Sequence, residues 1–124
     1  MGEKRVILKE YSFKFAITTI RLYKNLAESK KEFVLSKQLL RSGTGIGAMV
    51  REAQNAESKN DFIHTLAIAQ KECDETMYCL ELLKETNYME LSDFEKVQAD
   101  ASSLLKMIKS AILTTNQKTI THNP

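Results

Sequence analysis

Between Phe62 and Leu83, the residues Phe62, Leu66, Ala69, Cys73, Thr76, Leu80 and Leu83 step by 4, 3, 4, 3, 4 and 3. A repeat of this kind keeps one stripe of a helix turned toward a partner along its whole length. A lone helix cannot bury such a stripe, so the chain has to supply partners for it. Three further stretches carry three-and-four spacing. From Lys9 to Ala27 it falls on Phe13, Ile17, Ile20 and Ala27, with Ala16 and Tyr23 alongside. From Lys30 to Asn55 it falls on Leu35, Leu39, Ser42, Ile46, Met49 and Ala53. From Asp93 to Leu113 it falls on Val97, Ala101, Leu104, Ile108 and Ala111.

The stripes stop and restart at short polar breaks, so one long coiled coil is excluded. Ser29-Lys-Lys-Glu32 and Ser92-Asp-Phe-Glu95 match capping boxes, and Ala56–Asn60 and Asn87–Leu91 read as connections. No proline stands inside the chain to break a helix, and no alternation of strand type occurs. The expected fold is all-α: an antiparallel up-down four-helix bundle over residues 9–113, with an N-terminal arm (1–8) and a flexible polar tail (114–124). At 124 residues the chain has the length of a single domain. It holds no apolar run of membrane-spanning length, and its start is too short for a secretory signal, so the expected compartment is the cytoplasm.

Gly43, Gly45 and Gly47 stand inside the second helix, and the chain's fourth glycine is Gly2. Each costs about 1 kcal/mol against alanine in a helix. Gly43-x-Gly45-x-x-Ala48 satisfies a dinucleotide-binding pattern. That pattern works only where a strand feeds the loop, and Phe33–Ser42 has helical spacing. The Gly-Lys-Ser/Thr ending of a phosphate loop is also missing. Two readings remain. Gly43 and Gly47, four apart on one face, admit a neighbouring helix at close range, or the glycines distort the helix locally.

Other chemistry finds little footing. Bundles that hold two metals use paired Glu-x-x-His motifs. Here the only comparable pair is Asp61-x-x-His64, and the other histidine, His122, lies in the tail. Neither a metal nor another cofactor is expected, and no nucleophilic triad can be assembled, so the chain does not read as an enzyme. Cys73 and Cys79 read as packed free thiols. Arg41, Glu52, Lys71, Glu72 and Glu75 are placed to form ion pairs between the second and third helices, which would fix register more than add stability.

Charge is unevenly spread. Residues 1–51 hold eleven Lys and Arg against four Glu, a net +7, and residues 52–124 hold seven Lys against twelve Asp and Glu, a net −5. The two halves either neutralise one another within the bundle or leave a basic face for an acidic partner. On the second reading the phosphate contacts are Lys14, Arg21, Lys24, Lys30, Lys31 and Lys37. Aromatic residues do not interleave with them as single-strand binders require. Contacts to shape and backbone, sensitive to salt, are therefore expected to dominate.

Two runs resemble a known family. One is Gln38-Leu-Leu-Arg-Ser-Gly-Thr-Gly-Ile-Gly-Ala-Met-Val-Arg-Glu-Ala-Gln-Asn-Ala-Glu-Ser-Lys-Asn-Asp-Phe62, the other Ile68-Ala-Gln-Lys-Glu-Cys-Asp-Glu-Thr-Met-Tyr78. Both are similar to the bacterial 23S rRNA intervening-sequence proteins, with Gly45, Met49 and Cys79 departing from the family's usual serine, asparagine and aromatic. The resemblance implies a four-helix bundle assembled as a ring, a homopentamer, with no established catalysis. It implies RNA or DNA as a partner. A related branch serves as accessory proteins to the reverse transcriptases of diversity-generating retroelements, which implies that enzyme as an alternative partner. A scaffold without nucleic acid, basic half docked on acidic half of the next subunit, is a further alternative.

Overall fold

The computed structural model describes the backbone of residues 2–121 and the side chains of residues 2–117. The helices are α1 (Gly2–Glu28), α2 (Leu35–Gln54), α3 (Lys59–Glu85) and α4 (Leu91–Thr121). Short connections turn each helix back on the one before, giving the antiparallel up-down four-helix bundle. α2 lies between α1 and α3, and α3 between α2 and α4. The bundle closes where α1 meets α4, a much thinner seam than the others.

The α3 stripe is buried throughout, from Phe62 to Leu83, with Cys73, Leu80 and Leu83 wholly enclosed. Leu39 and Ile46 of α2 and Ala101, Leu104 and Ile108 of α4 meet it in the core. Ser42 and Thr76 are buried between α2 and α3 with their hydroxyl oxygens 2.8 Å apart. A polar pair costs little in such a place because each hydroxyl finds a partner.

α1 departs from the expected face. Phe13 and Ile20 are exposed, at 52% and 39%, and the buried residues are Leu8, Ser12, Phe15, Thr19 and Leu26. The helix carries two stripes, and the inner one includes two hydroxyl residues that a hydropathy pattern discounts. Both are satisfied locally: Ser12 Oγ donates to the Lys9 carbonyl at 3.0 Å and Thr19 Oγ1 to the Phe15 carbonyl at 2.9 Å. Phe13 instead lies beneath the Arg51 guanidinium, 5.4 Å from its ring centre.

Helix ends differ too. α2 starts at Leu35, not Lys30, because Lys31 takes φ 57° and breaks the helical path. The Ser29 box does not form. Glu32 reaches forward, its carboxylate accepting from the Val34, Leu35 and Ser36 amides at 3.2, 2.8 and 2.8 Å. Ser36 Oγ donates to the Glu32 carbonyl at 2.7 Å. The Ser92 box is likewise absent among the described residues: α4 begins at Leu91, and Ser92 sits inside its first turn. The box that forms is at α3, where Ser58 Oγ accepts from Asp61 N at 3.0 Å and Asp61 Oδ2 accepts from Glu57 N at 3.1 Å.

Residues 2–8, expected as an arm, are the first turns of α1. Arg5 pins them, stacked 4.6 Å over Phe62, while its carbonyl accepts from Gln54 Nε2 at 3.3 Å. α4 continues past Leu113 to Thr121, with Thr115 extending its buried face. Residues 122–124, including His122, lie outside the described residues.

Candidate nucleic-acid interface

The glycines determine how close α1 comes to α2. α2 runs unbroken through all three, with no glycine at positive φ. A Cβ on Gly43 would lie 2.5 Å from Thr19 Cγ2 and Oγ1, and one on Gly47 would lie 3.3 Å from the Ser12 carbonyl oxygen. Gly45 faces the other way, where a Cβ would meet Glu72 Oε2 at 2.6 Å. Gly43 and Gly47 therefore meet α1 at its two small inner residues, and Gly45 meets α3.

On the α3 side, Arg41 contacts Glu72 at 3.7 Å and pairs more closely with Glu75. Burial pushes the Glu72 carboxyl above its ordinary value; Arg41 opposes the shift and the neighbouring Glu75 adds to it. Glu52 and Lys71 are exposed and form no ion pair among the described residues. Cys73 is enclosed, and burial chiefly, with Asp74 and Glu72 nearby, pushes its thiol up to about 12. Cys79 is also buried, with its thiol raised for the same leading reason. Thiols held protonated in this way are poor nucleophiles and poor metal ligands.

At the end where α1 begins and α4 finishes, a cavity of about 300 Å³ lies on the thin α1–α4 seam. Its lining is mostly apolar, with Leu8, Val50, Ala53, Leu66 and Met107 contributing. Among the described residues no cluster of His, Cys, Asp and Glu could hold a metal ion, and no helix is long and apolar enough to cross a membrane.

Lys14, Arg21 and Lys24 are exposed on α1, Lys30 and Lys31 on the α1–α2 connection, and Lys37 in the first turn of α2. None makes an ion pair among the described residues. The acidic second half therefore leaves them uncancelled by direct contact. Lys14 and Arg21 are seven apart and Lys24 three further, a single track along α1. Sequence reasoning missed the residues around this track. Phe33 and Val34, on the same connection, are 52% and 70% exposed. They precede the second stripe, which begins at Leu35, and its spacing gives them no role.

A profile of the 23S rRNA-intervening sequence protein family matches residues 4–110. The chain belongs to this family. Among solved structures, it is similar to a protein of unknown function from the S23 ribosomal protein family of Bacteroides thetaiotaomicron VPI-5482. The two are 47% identical, with a TM-score of 0.87 over 88% of this chain and 97% of that one. No curated protein matches the chain. The family match reaches all four helices and ends within α4, so the glycine contacts and the basic track both fall within it.

Proposed function

We propose that this family member is a non-enzymatic, oligomeric bundle that binds structured RNA, or a nucleoprotein, through the basic surface of its first half. The observation that carries the reading is the set of six exposed cations on α1, the connection and α2, none held by an acidic partner among the described residues. A polyanion gains most from cations that are not already paired. Fluorescence anisotropy with a structured RNA over a salt series tests it. If all six engage phosphates, log K falls against log salt with a slope of about −4 to −5. Arg21→Glu with Lys24→Glu makes that slope shallower by about 2 and weakens binding at every salt concentration. No affinity even at low salt overturns the reading.

Self-association has its own support. Val6, Phe13 and Ile20 are spaced by seven along α1 and are 53%, 52% and 39% exposed. A heptad stripe left open on a helix is suited to a partner helix, and an oligomer would gather several basic tracks. Light scattering is expected to report an assembly that Phe13→Glu with Ile20→Glu dissociates. A wild-type monomer at micromolar concentration ends this part of the reading.

A further inference from the structure

The α1–α2 connection combines features that a mere turn does not need. It holds an aromatic ring in water, and its backbone is fixed on both sides of that ring. Glu32 is buried, 7% exposed, and its carboxylate binds the Val34, Leu35 and Ser36 amides. Glu32 N donates to the Leu26 carbonyl at 2.9 Å, and Lys31 is locked at φ 57°. Phe33 stands between these fixed points with half its surface open. Lys30, Lys31 and Lys37, all exposed, stand near it in the chain. Glu32 takes the Val34, Leu35 and Ser36 amides, so those donors are not offered to an anion. The groups left to a ligand are a flat apolar ring and ammonium groups.

We infer that Phe33 is a stacking platform for an unpaired nucleobase, with Lys30, Lys31 and Lys37 on the adjoining phosphates. The inference rests on the RNA-binding reading above and names the part of the RNA that this end of the protein contacts. A ring carried on a fixed backbone loses little freedom on stacking, and any base offers it a π-face. In the chain Phe33 falls between Lys31 and Lys37, so here, against the expectation from the sequence, an exposed aromatic does stand among the cations. A lipid surface fits less well. Lys14, Arg21 and Lys24 run back along α1 for about 15 Å from the first to the last. A strand laid along the helix reaches them all, whereas a bilayer touching the tip of the connection leaves the far end behind.

The test compares a hairpin RNA bearing an unpaired loop with a fully paired duplex of similar length, by anisotropy. Phe33→Ala is expected to weaken hairpin binding by about 5- to 150-fold, the range seen when a stacked base loses its platform, and to leave duplex binding unchanged. Phe33→Leu keeps apolar bulk without a flat face and should behave as Phe33→Ala does; Phe33→Trp should bind the hairpin as the wild type does. Circular dichroism melts are expected to match across the set, because the ring is largely outside the core. If the wild type binds the hairpin and Phe33→Ala binds it equally well, the platform is refuted and the RNA-binding reading stands. An equal loss on hairpin and duplex also refutes stacking. If the wild type binds neither RNA, the underlying reading fails first. Phe33-dependent binding to phosphatidylserine vesicles, with RNA binding independent of Phe33, assigns the ring to a lipid surface and overturns the inference.

Discussion

Gly43→Ala lowers the unfolding free energy by about 1–2 kcal/mol, while Gly45→Ala, two residues later on the same helix, raises it by about 0.5–1 kcal/mol. Both substitutions gain helix propensity, and the difference lies in what the new methyl meets. At Gly43 it meets the Thr19 side chain at 2.5 Å and the Thr19 Cβ at 3.0 Å. Thr19 is 1% exposed, β-branched, and tied by its hydroxyl to the Phe15 carbonyl. It cannot turn aside, so α1 itself must shift. At Gly45 the methyl meets the carboxylate end of Glu72, a flexible side chain that can swing away. Gly47 is intermediate for alanine, but Gly47→Leu drives its bulk into the Ser12 backbone and should prevent folding. Urea denaturation of the single variants measures the signs. The pair Gly43→Ala with Thr19→Ala should recover most of the loss, as sites in direct contact do. Equal effects at Gly43 and Gly45 would refute the close-approach account.

Glu32→Ala should cost about 2 kcal/mol, an unusually large effect for a residue in a connection, because it removes three charge-assisted bonds, from the Val34, Leu35 and Ser36 amides. Glu32→Gln keeps part of the geometry and should cost about 1 kcal/mol. The pH dependence has a definite sign. Burial pushes the Glu32 carboxyl up, but the bonds from Ser36, Leu35 and Val34 outweigh it, and its pKa lies below the ordinary 4.5. A carboxyl depressed in the folded state stabilises the protein above its unfolded-state pKa. That contribution is lost as pH falls through the folded value. The stability gap between wild type and Glu32→Gln is therefore constant near neutrality and narrows on acidification below about pH 4.5. Glu72 works in the opposite direction. Its raised pKa means that its charge costs stability at neutral pH and that the cost is relieved in acid. Denaturation of Glu32→Gln and of Glu72→Gln across pH separates the two, and a gap that widens in acid at Glu32 would contradict the cap.

The bundle was legible because α3 states its period without ambiguity and every residue of that stripe is buried. α2 and α4 were legible for the same reason. α1 misled because its outer stripe, Phe13, Ile17 and Ile20, is more apolar than parts of its inner one. Ser12 and Thr19 are chosen for small size against the glycines, and hydropathy does not register size. The helix starts misled because Ser29 and Ser92 satisfied a motif, while the capping group proved to be a carboxylate at Glu32 and, at α3, the Ser58–Asp61 pair. Motif spacing cannot show which of two neighbouring polar residues folds inward. The six basic residues were legible as charges. That they stand free of partners depends on where α3 and α4 place their acids, which no linear reading contains. Phe33 was hidden because the helix expected from Lys30 encloses it, whereas α2 begins at Leu35 and leaves it on the connection.

α1 touches α2 along its length and α4 only thinly, so its height above the rest of the bundle has one reference surface. That surface is the pair of bare positions at Gly43 and Gly47, against Thr19 and Ser12. The glycines therefore act as an alignment gauge. They fix how far the basic track stands from the connection that carries Phe33, and a methyl group at the gauge would displace a surface on the far side of another helix.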